Sequence, residues 1–157
     1  ALYPDATLFR NGSSDYGRQI YAAEGCAYCH TQMIRPTYAG PDMWRVGWGG
    51  REEEGLARET RPRDYEQETI ALLGYQRIGQ DLSNVGHRIT SRELMHQHLY
   101  EPRSLNPDSG MPAYKHLYKK SPYGKGMDPT DRAEALVDYL MSLKKDQPLP
   151  DLTVAEG

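Results

Sequence analysis

The chain has 157 residues, of which 38% are hydrophobic and 26% are charged, and its formal net charge is −3 at pH 7. This length predicts a single domain. The absence of a basic run argues against a nucleic-acid-binding protein, and no apolar run reaches the roughly 20 residues that a membrane-spanning helix needs.

Three sections are predicted along the chain: an extended leader over residues 1–12, a single domain over 13–147 and a tail over 148–157. The first helix is predicted to begin near Ser13–Ser14, because serine is a good N-cap. The chain starts at Ala1 without an initiator methionine, so we expect that a signal peptide or a membrane anchor has been removed upstream.

The motif Cys26-Ala27-Tyr28-Cys29-His30 follows this helix. On a helical turn, residues three or four apart share a face, so Cys26, Cys29 and His30 can point at the same object. This spacing is the attachment signature of a covalent c-type haem, with two thiols bonding the porphyrin and the imidazole binding iron. A disulfide or a thioredoxin-like pair is the alternative, but it needs a βαβ context that the surrounding sequence does not have.

A haem c also explains other features of the composition. Its apolar faces would complete a core that is lean for a globular chain. Both cysteines would be used by the cofactor, so no disulfide framework is expected. Thioether attachment of haem takes place outside the cytoplasm, and we therefore expect a periplasmic or equivalent location.

Residues 31–78 read as a long, loop-rich insertion, in which Pro36 ends any helix that leaves the haem motif. One short helix is predicted from Tyr65 to Tyr75, with Gly74 near its end. Because a structureless loop of this length is unusual in a compact domain, we expect the insertion to pack over one haem edge. The inward side chains of its short helix would be Ile70, Leu72 and Leu73.

Two further helices are predicted in the second half of the chain. A capping box formed by Thr90 and Glu93 opens the first, which Pro102 stops. The second is predicted to begin at Asp128-Pro129, and Lys144-Lys145 suits its C-terminal dipole. The stripe it buries is expected to be Ala133, Leu136, Val137, Leu140 and Met141.

The best candidate for the second axial ligand of the iron is Met111, in the loop before the last helix. Pro112 holds the residue before it in an extended conformation, which lets the loop carry a thioether across the haem. A sulfur ligand favours ferrous iron and raises the reduction potential. His116 is the strongest rival and would give a bis-histidine haem of lower potential.

The order of a haem motif, a Gly-x-Asp-Leu turn, a Met-Pro loop and a C-terminal helix resembles a class I cytochrome c, an all-α fold around one covalent haem. Over roughly residues 16–118 the chain is similar to the mono-haem cytochrome c subunit of cbb3-type oxidases. The similar stretches are 17–21, 24–26, 29–36, 79–82, 85–88, 98–103 and 111–114, of which 29–36 and 111–114 are the most specific.

The resemblance implies a role for several residues. Cys26 and Cys29 would carry the thioethers, and His30 and Met111 would be the axial ligands of the iron. The carbonyl of Gln80 would accept the His30 proton. By the same resemblance, Leu82 would pack on the ring and Arg88 would lie near a propionate.

The resemblance also implies single-electron transfer from a donor cytochrome c towards a membrane-embedded oxidase subunit, without catalysis by this chain. Membrane association would then come only from a segment that precedes Ala1. Two alternatives are a freely diffusing periplasmic carrier and a small-molecule-binding or peroxidatic haem protein. The second of these needs a displaceable sixth ligand on the iron.

Overall fold

The structure is a computed structural model that describes residues 12–45, 48, 58–66 and 68–145. This part of the chain contains four α-helices and one two-stranded antiparallel sheet. Residues 1–11 of the predicted leader and the predicted tail over 148–157 lie outside the described residues. The elements are α1 (Gly12–Ala23), α2 (Val85–Arg88), α3 (Arg92–Tyr100), β1 (Tyr118–Lys120), β2 (Met127–Pro129) and α4 (Asp131–Met141).

The core forms where α1 crosses α4. Gly17 allows this approach, since a methyl group there would overlap the carbonyl of Ala135. One turn further on, the Tyr21 ring packs against Tyr139 at 5.2 Å between centroids, and both side chains are fully buried. The predicted stripe of α4 is buried at Ala133, Leu136, Val137 and Leu140, and Met141 is half-buried.

Two helix starts differ from the sequence prediction. Ser91, not Thr90, caps α3, and its hydroxyl accepts from the amide of Leu94 at 3.2 Å. Thr130 caps α4. In both cases a hydroxyl side chain one or two residues further on accepts from the free amides of the first turn. Because several residues at each start are good N-caps, residue preference alone could not identify the one that is used.

A small hairpin makes the fold mostly helical rather than all-α. β1 and β2 pair with Tyr118 opposite Pro129 and Lys120 opposite Met127. Asp128 and Pro129, predicted to open the last helix, therefore belong to β2. Pro129 is tolerated because it ends an edge strand.

The predicted helix from Tyr65 to Tyr75 is wrong. A short 3₁₀ turn covers Pro62–Tyr65, and the described residues after it are irregular. The amide of Tyr75 donates to the carbonyl of Ala27 at 2.9 Å, so the main chain bonds to the haem motif instead of to its own preceding turn. Leu72 packs against the core, whereas Ile70 and Leu73 are exposed.

Buried charges hold the insertion together and fasten it to the rest of the fold. The Asp42 carboxylate is fully buried and forms salt bridges with Arg35 and Arg77. Lys145, expected to lie at the α4 terminus for its dipole, is instead buried with its Nζ 3.0 Å from Glu68. A buried ammonium needs such a partner, because desolvation of an unpaired charge is costly.

Among the described residues, no helix combines the length and the apolar character needed to span a bilayer.

Candidate haem-binding site

The haem motif begins directly after α1. Gly25 adopts a left-handed conformation with φ 76°, which turns the chain out of the helix into the 3₁₀ turn Cys26–Tyr28. The amide of His30 then donates to the carbonyl of Cys26 at 3.0 Å. This compact turn holds Cys26, Cys29 and His30 together, and all three side chains are half-buried.

Burial strongly affects the first thiol of the motif. Desolvation, reinforced by the nearby Glu24 carboxylate, raises the pKa of Cys26 to about 12. The thiol therefore stays protonated at neutral pH. A redox dithiol needs a readily formed thiolate, so this environment does not suit the thioredoxin-like alternative.

The His30 imidazole is oriented by the chain around residue 80. Its Nδ1 lies 2.7 Å from the Gln80 carbonyl, and since a carbonyl only accepts, Nδ1 carries the proton. The Nε2 lone pair is then available to bind a metal. Burial lowers the pKa of His30, which favours the neutral imidazole that this requires.

Gly79 lies directly against the His30 ring, and a methyl group there would overlap the imidazole. We expect Gly79→Ala to tilt the ring away from Gln80, weaken iron binding and destabilise the fold by about 1–3 kcal/mol. Visible spectra of the oxidised and reduced haem protein and its thermal unfolding would measure this. Gly124→Ala, in the loop between β1 and β2, is the matched control, because a Cβ there meets open space; equal spectra and melting for both variants would contradict the prediction.

Asp81 is a residue whose structural role the sequence did not reveal. Its fully buried carboxylate accepts from the Thr31 hydroxyl at 2.6 Å and from the amides of Met33 and Ser83, each at 2.8 Å. It thus locks the segment after His30 to the Gly79–Leu82 turn. The Gly-x-Asp-Leu pattern was the only available signal, and it does not by itself identify the partners of the carboxylate.

Leu82 ends this turn, and Arg88 bonds back to it. The amide of Leu82 donates to the Thr31 carbonyl at 2.8 Å, and its half-buried side chain packs against the core. The Arg88 guanidinium donates to the Asp81 carbonyl at 2.8 Å. Burial lowers the pKa of Arg88, and this charged group would be stabilised by an anion nearby.

The Met111 loop is fixed at both ends. The amide of Met111 donates to the Ser109 hydroxyl at 3.3 Å, and that of Tyr114 donates to the α3 carbonyl of Leu99 at 2.9 Å. The Met111 side chain is half-buried against the core. The Tyr114 side chain and the Cys26 thiol lie close enough for each to influence the pKa of the other, which places the loop beside the haem motif.

The histidines other than His30 have different environments. His116, the rival ligand, is exposed, and its Nε2 lies 2.8 Å from the Glu24 carboxylate, so it faces the surface. The His96 ring bonds the Tyr118 hydroxyl at 2.9 Å. His98 is half-buried, and its pKa is lowered by burial and by the charge of the nearby His30. No pattern in the sequence indicated that His98 lies near His30.

The residues present fit a covalent porphyrin. A set of apolar side chains packs on the core while remaining partly exposed, which suits contact with a large apolar plate. The protonated Nδ1 of His30 leaves one ring nitrogen for iron, and two thiols lie within four residues of it. The partly exposed set is Cys26, Leu72, Leu82, Ile89, Tyr100, Met111, Tyr114 and Met141.

Comparison with known proteins gives one family. No curated protein matches the chain. The model of the family described as cytochrome c oxidase, mono-heme subunit/FixO matches residues 13–142, which span α1 to the end of α4. The chain therefore belongs to the FixO family, the mono-haem cytochrome c subunits that transfer electrons within cbb3-type oxidases.

Proposed function

We propose that this subunit relays single electrons through one haem c that is bound by Cys26 and Cys29 as thioethers and by His30 and Met111 as axial ligands. The observation that carries the proposal is the 2.7 Å contact between His30 Nδ1 and the Gln80 carbonyl. That contact sets the tautomer and leaves Nε2 without a proton, free to bind iron. When bound, the haem supplies a reversible one-electron couple.

The protein's own residues would tune this couple. The Gln80 carbonyl fixes the orientation of the His30 ring and increases its basicity. The Met111 thioether is a soft ligand that favours the ferrous state and raises the potential. Leu82 and Tyr114 would keep water from the haem, and the Arg88 guanidinium would offset the negative charge of a propionate.

The partners follow from the family. Electrons would arrive from a donor cytochrome c and pass to a membrane-embedded subunit of the oxidase, on the periplasmic side. The insertion over 31–78 would shield the His30 edge of the haem. Two contacts support this role: the amide of Tyr75 donates to the Ala27 carbonyl at 2.9 Å, and a methyl group on Gly74 would overlap the His30 carbonyl.

Carbon monoxide distinguishes the relay from a small-molecule-binding haem protein. A relay keeps both axial ligands in both oxidation states, so carbon monoxide added to the reduced protein should leave its visible spectrum nearly unchanged. A redox titration of the same sample should give one reversible one-electron step. Rapid and complete carbon monoxide binding would contradict the proposed ligation.

A further inference from the structure

The surface beside the haem motif carries an unusual concentration of exposed apolar side chains. In the apolar strip, which we define as Tyr28, Ile70, Leu73, Tyr75 and Ile78, the exposed fractions are 65%, 71%, 40%, 78% and 73%. The Tyr28 and Tyr75 rings stack at 5.4 Å between centroids. A concentration of large exposed apolar side chains in one short segment is uncommon on soluble monomers and marks an interaction site.

Charge is almost absent from the segment that carries the strip. Between residues 69 and 80 the only charged residue is Arg77. Its guanidinium turns inward, 2.7 Å from the Asp42 carboxylate and 2.7 Å from the Met33 carbonyl. The one charge of the segment is therefore used inside the protein, while four of its large apolar side chains face outward.

The strip is held in place by the main chain. The amide of Gln32 donates to the Leu73 carbonyl at 2.9 Å, and the amide of Tyr75 donates to the Ala27 carbonyl at 2.9 Å. The Arg18 side chain also bonds to the Ile70 carbonyl. A surface ordered in this way loses little conformational entropy when a partner covers it.

We propose that the apolar strip is the face by which another subunit of the oxidase complex holds this subunit permanently. An uncharged face is complementary to an uncharged partner surface, whereas transient redox partners are steered by opposite charge. Permanent interfaces are also the more apolar class, and the chain is a subunit of such a complex. Since Tyr28 lies between Cys26 and Cys29, the covered face includes the haem attachment site, a point that rests on the proposed function.

The test uses the assembled oxidase, purified through its membrane-embedded subunit. One variant carries Ile70→Ser, Tyr75→Ser and Ile78→Ser, and a second carries only Tyr75→Lys, which places a charge on the strip. The control carries Tyr38→Ser and Tyr123→Ser, two tyrosines that are 91% and 96% exposed outside the strip. The readouts are the amount of this subunit per complex and the visible spectrum and melting temperature of the haem-loaded chain alone.

Both strip variants should lower the amount of bound subunit by about tenfold or more. The visible spectrum and the melting temperature of the free chain should stay unchanged. The control should bind the complex in the same amount as the wild-type subunit. Full retention of either strip variant would overturn the proposal. It would also be overturned if the free wild-type chain sediments as a dimer that the serine changes dissociate, since a second copy would then cover the strip. A Met111→Ala subunit that assembles fully but keeps its sulfur-to-iron charge-transfer band would instead count only against the proposed ligation.

Discussion

Met111→Ala is expected to abolish the sulfur-to-iron charge-transfer band of the oxidised protein. Without the thioether the sixth position opens, so the reduced protein should bind carbon monoxide rapidly. Loss of the soft ligand should also lower the reduction potential, by on the order of 0.2 V within the roughly 0.8 V over which axial ligands set haem potentials. Visible spectroscopy and a redox titration measure all three effects.

Met127→Ala is the matched control for this change. Met127 is also a partly exposed methionine near the C-terminal helix, but it lies in β2 of the hairpin. Its replacement should leave the band and the potential unaltered. Survival of the charge-transfer band in Met111→Ala would show that another atom is the sixth ligand.

Asp42→Ala is expected to lower the free energy of unfolding by about 3 kcal/mol, because it leaves two guanidinium groups without their buried partner. The Asp42 carboxylate is fully buried and accepts from the Arg35 amide at 2.9 Å and from Arg77 at 2.7 Å. For a domain of this size the loss corresponds to a decrease of roughly 6–12 °C in melting temperature. Thermal or urea unfolding of the oxidised protein measures it.

The control for this prediction is Glu59→Gln, which removes a solvent-exposed salt bridge to Arg61. Such pairs contribute about 0–1 kcal/mol, so the melting temperature should hardly move. A loss of similar size in both variants would mean that burial of the Asp42 network is not the cause.

Lowering the pH should also remove the stabilising effect of the Asp42 network. Burial opposes ionisation of Asp42, but hydrogen bonds from Arg35 and Arg77 outweigh it and lower the pKa to about 2. A carboxyl whose folded pKa is depressed stabilises the protein above its unfolded pKa of about 4 and loses that effect as the pH falls towards 2. The stability difference between wild type and Asp42→Ala should therefore shrink over this range.

Local sequence patterns, such as apolar repeats and capping residues, predicted the helices that depend on residues close together in the chain. The buried stripe of α4 repeats every three or four residues, and the start of α1 was placed within one residue. The caps of α3 and α4 were each missed by one or two residues, because Thr90 and Ser91, or Asp128 and Thr130, offer similar capping groups. Which residue caps the helix depends on the structure of the preceding segment. Asp128 and Pro129, for example, are paired in β2, so the last helix begins only after Thr130.

The insertion shows most clearly what local patterns could not predict. Ile70, Leu72 and Leu73 suggested a helix, yet the segment bonds to residues 27–32 and leaves two of these side chains exposed. Its structure is decided by contacts between distant positions, such as Asp42 with Arg77 and Glu68 with Lys145. Ion pairs between such distant residues produce no repeating pattern in the sequence from which they could be predicted.

The sequence alone determined the chemistry of the protein, because two thiols and an imidazole within five residues can be read from spacing, and the Met-Pro loop can be read from its proline. The resemblance also implied that the Gln80 carbonyl accepts the His30 proton. Only the tertiary structure decided the rest of the environment of that chemistry: the buried Asp81 that locks the turn and the apolar strip that faces outward. The physical reason is range. Covalent spacing is a local property, whereas burial, tautomer and exposure depend on what the folded chain brings from fifty or more residues away.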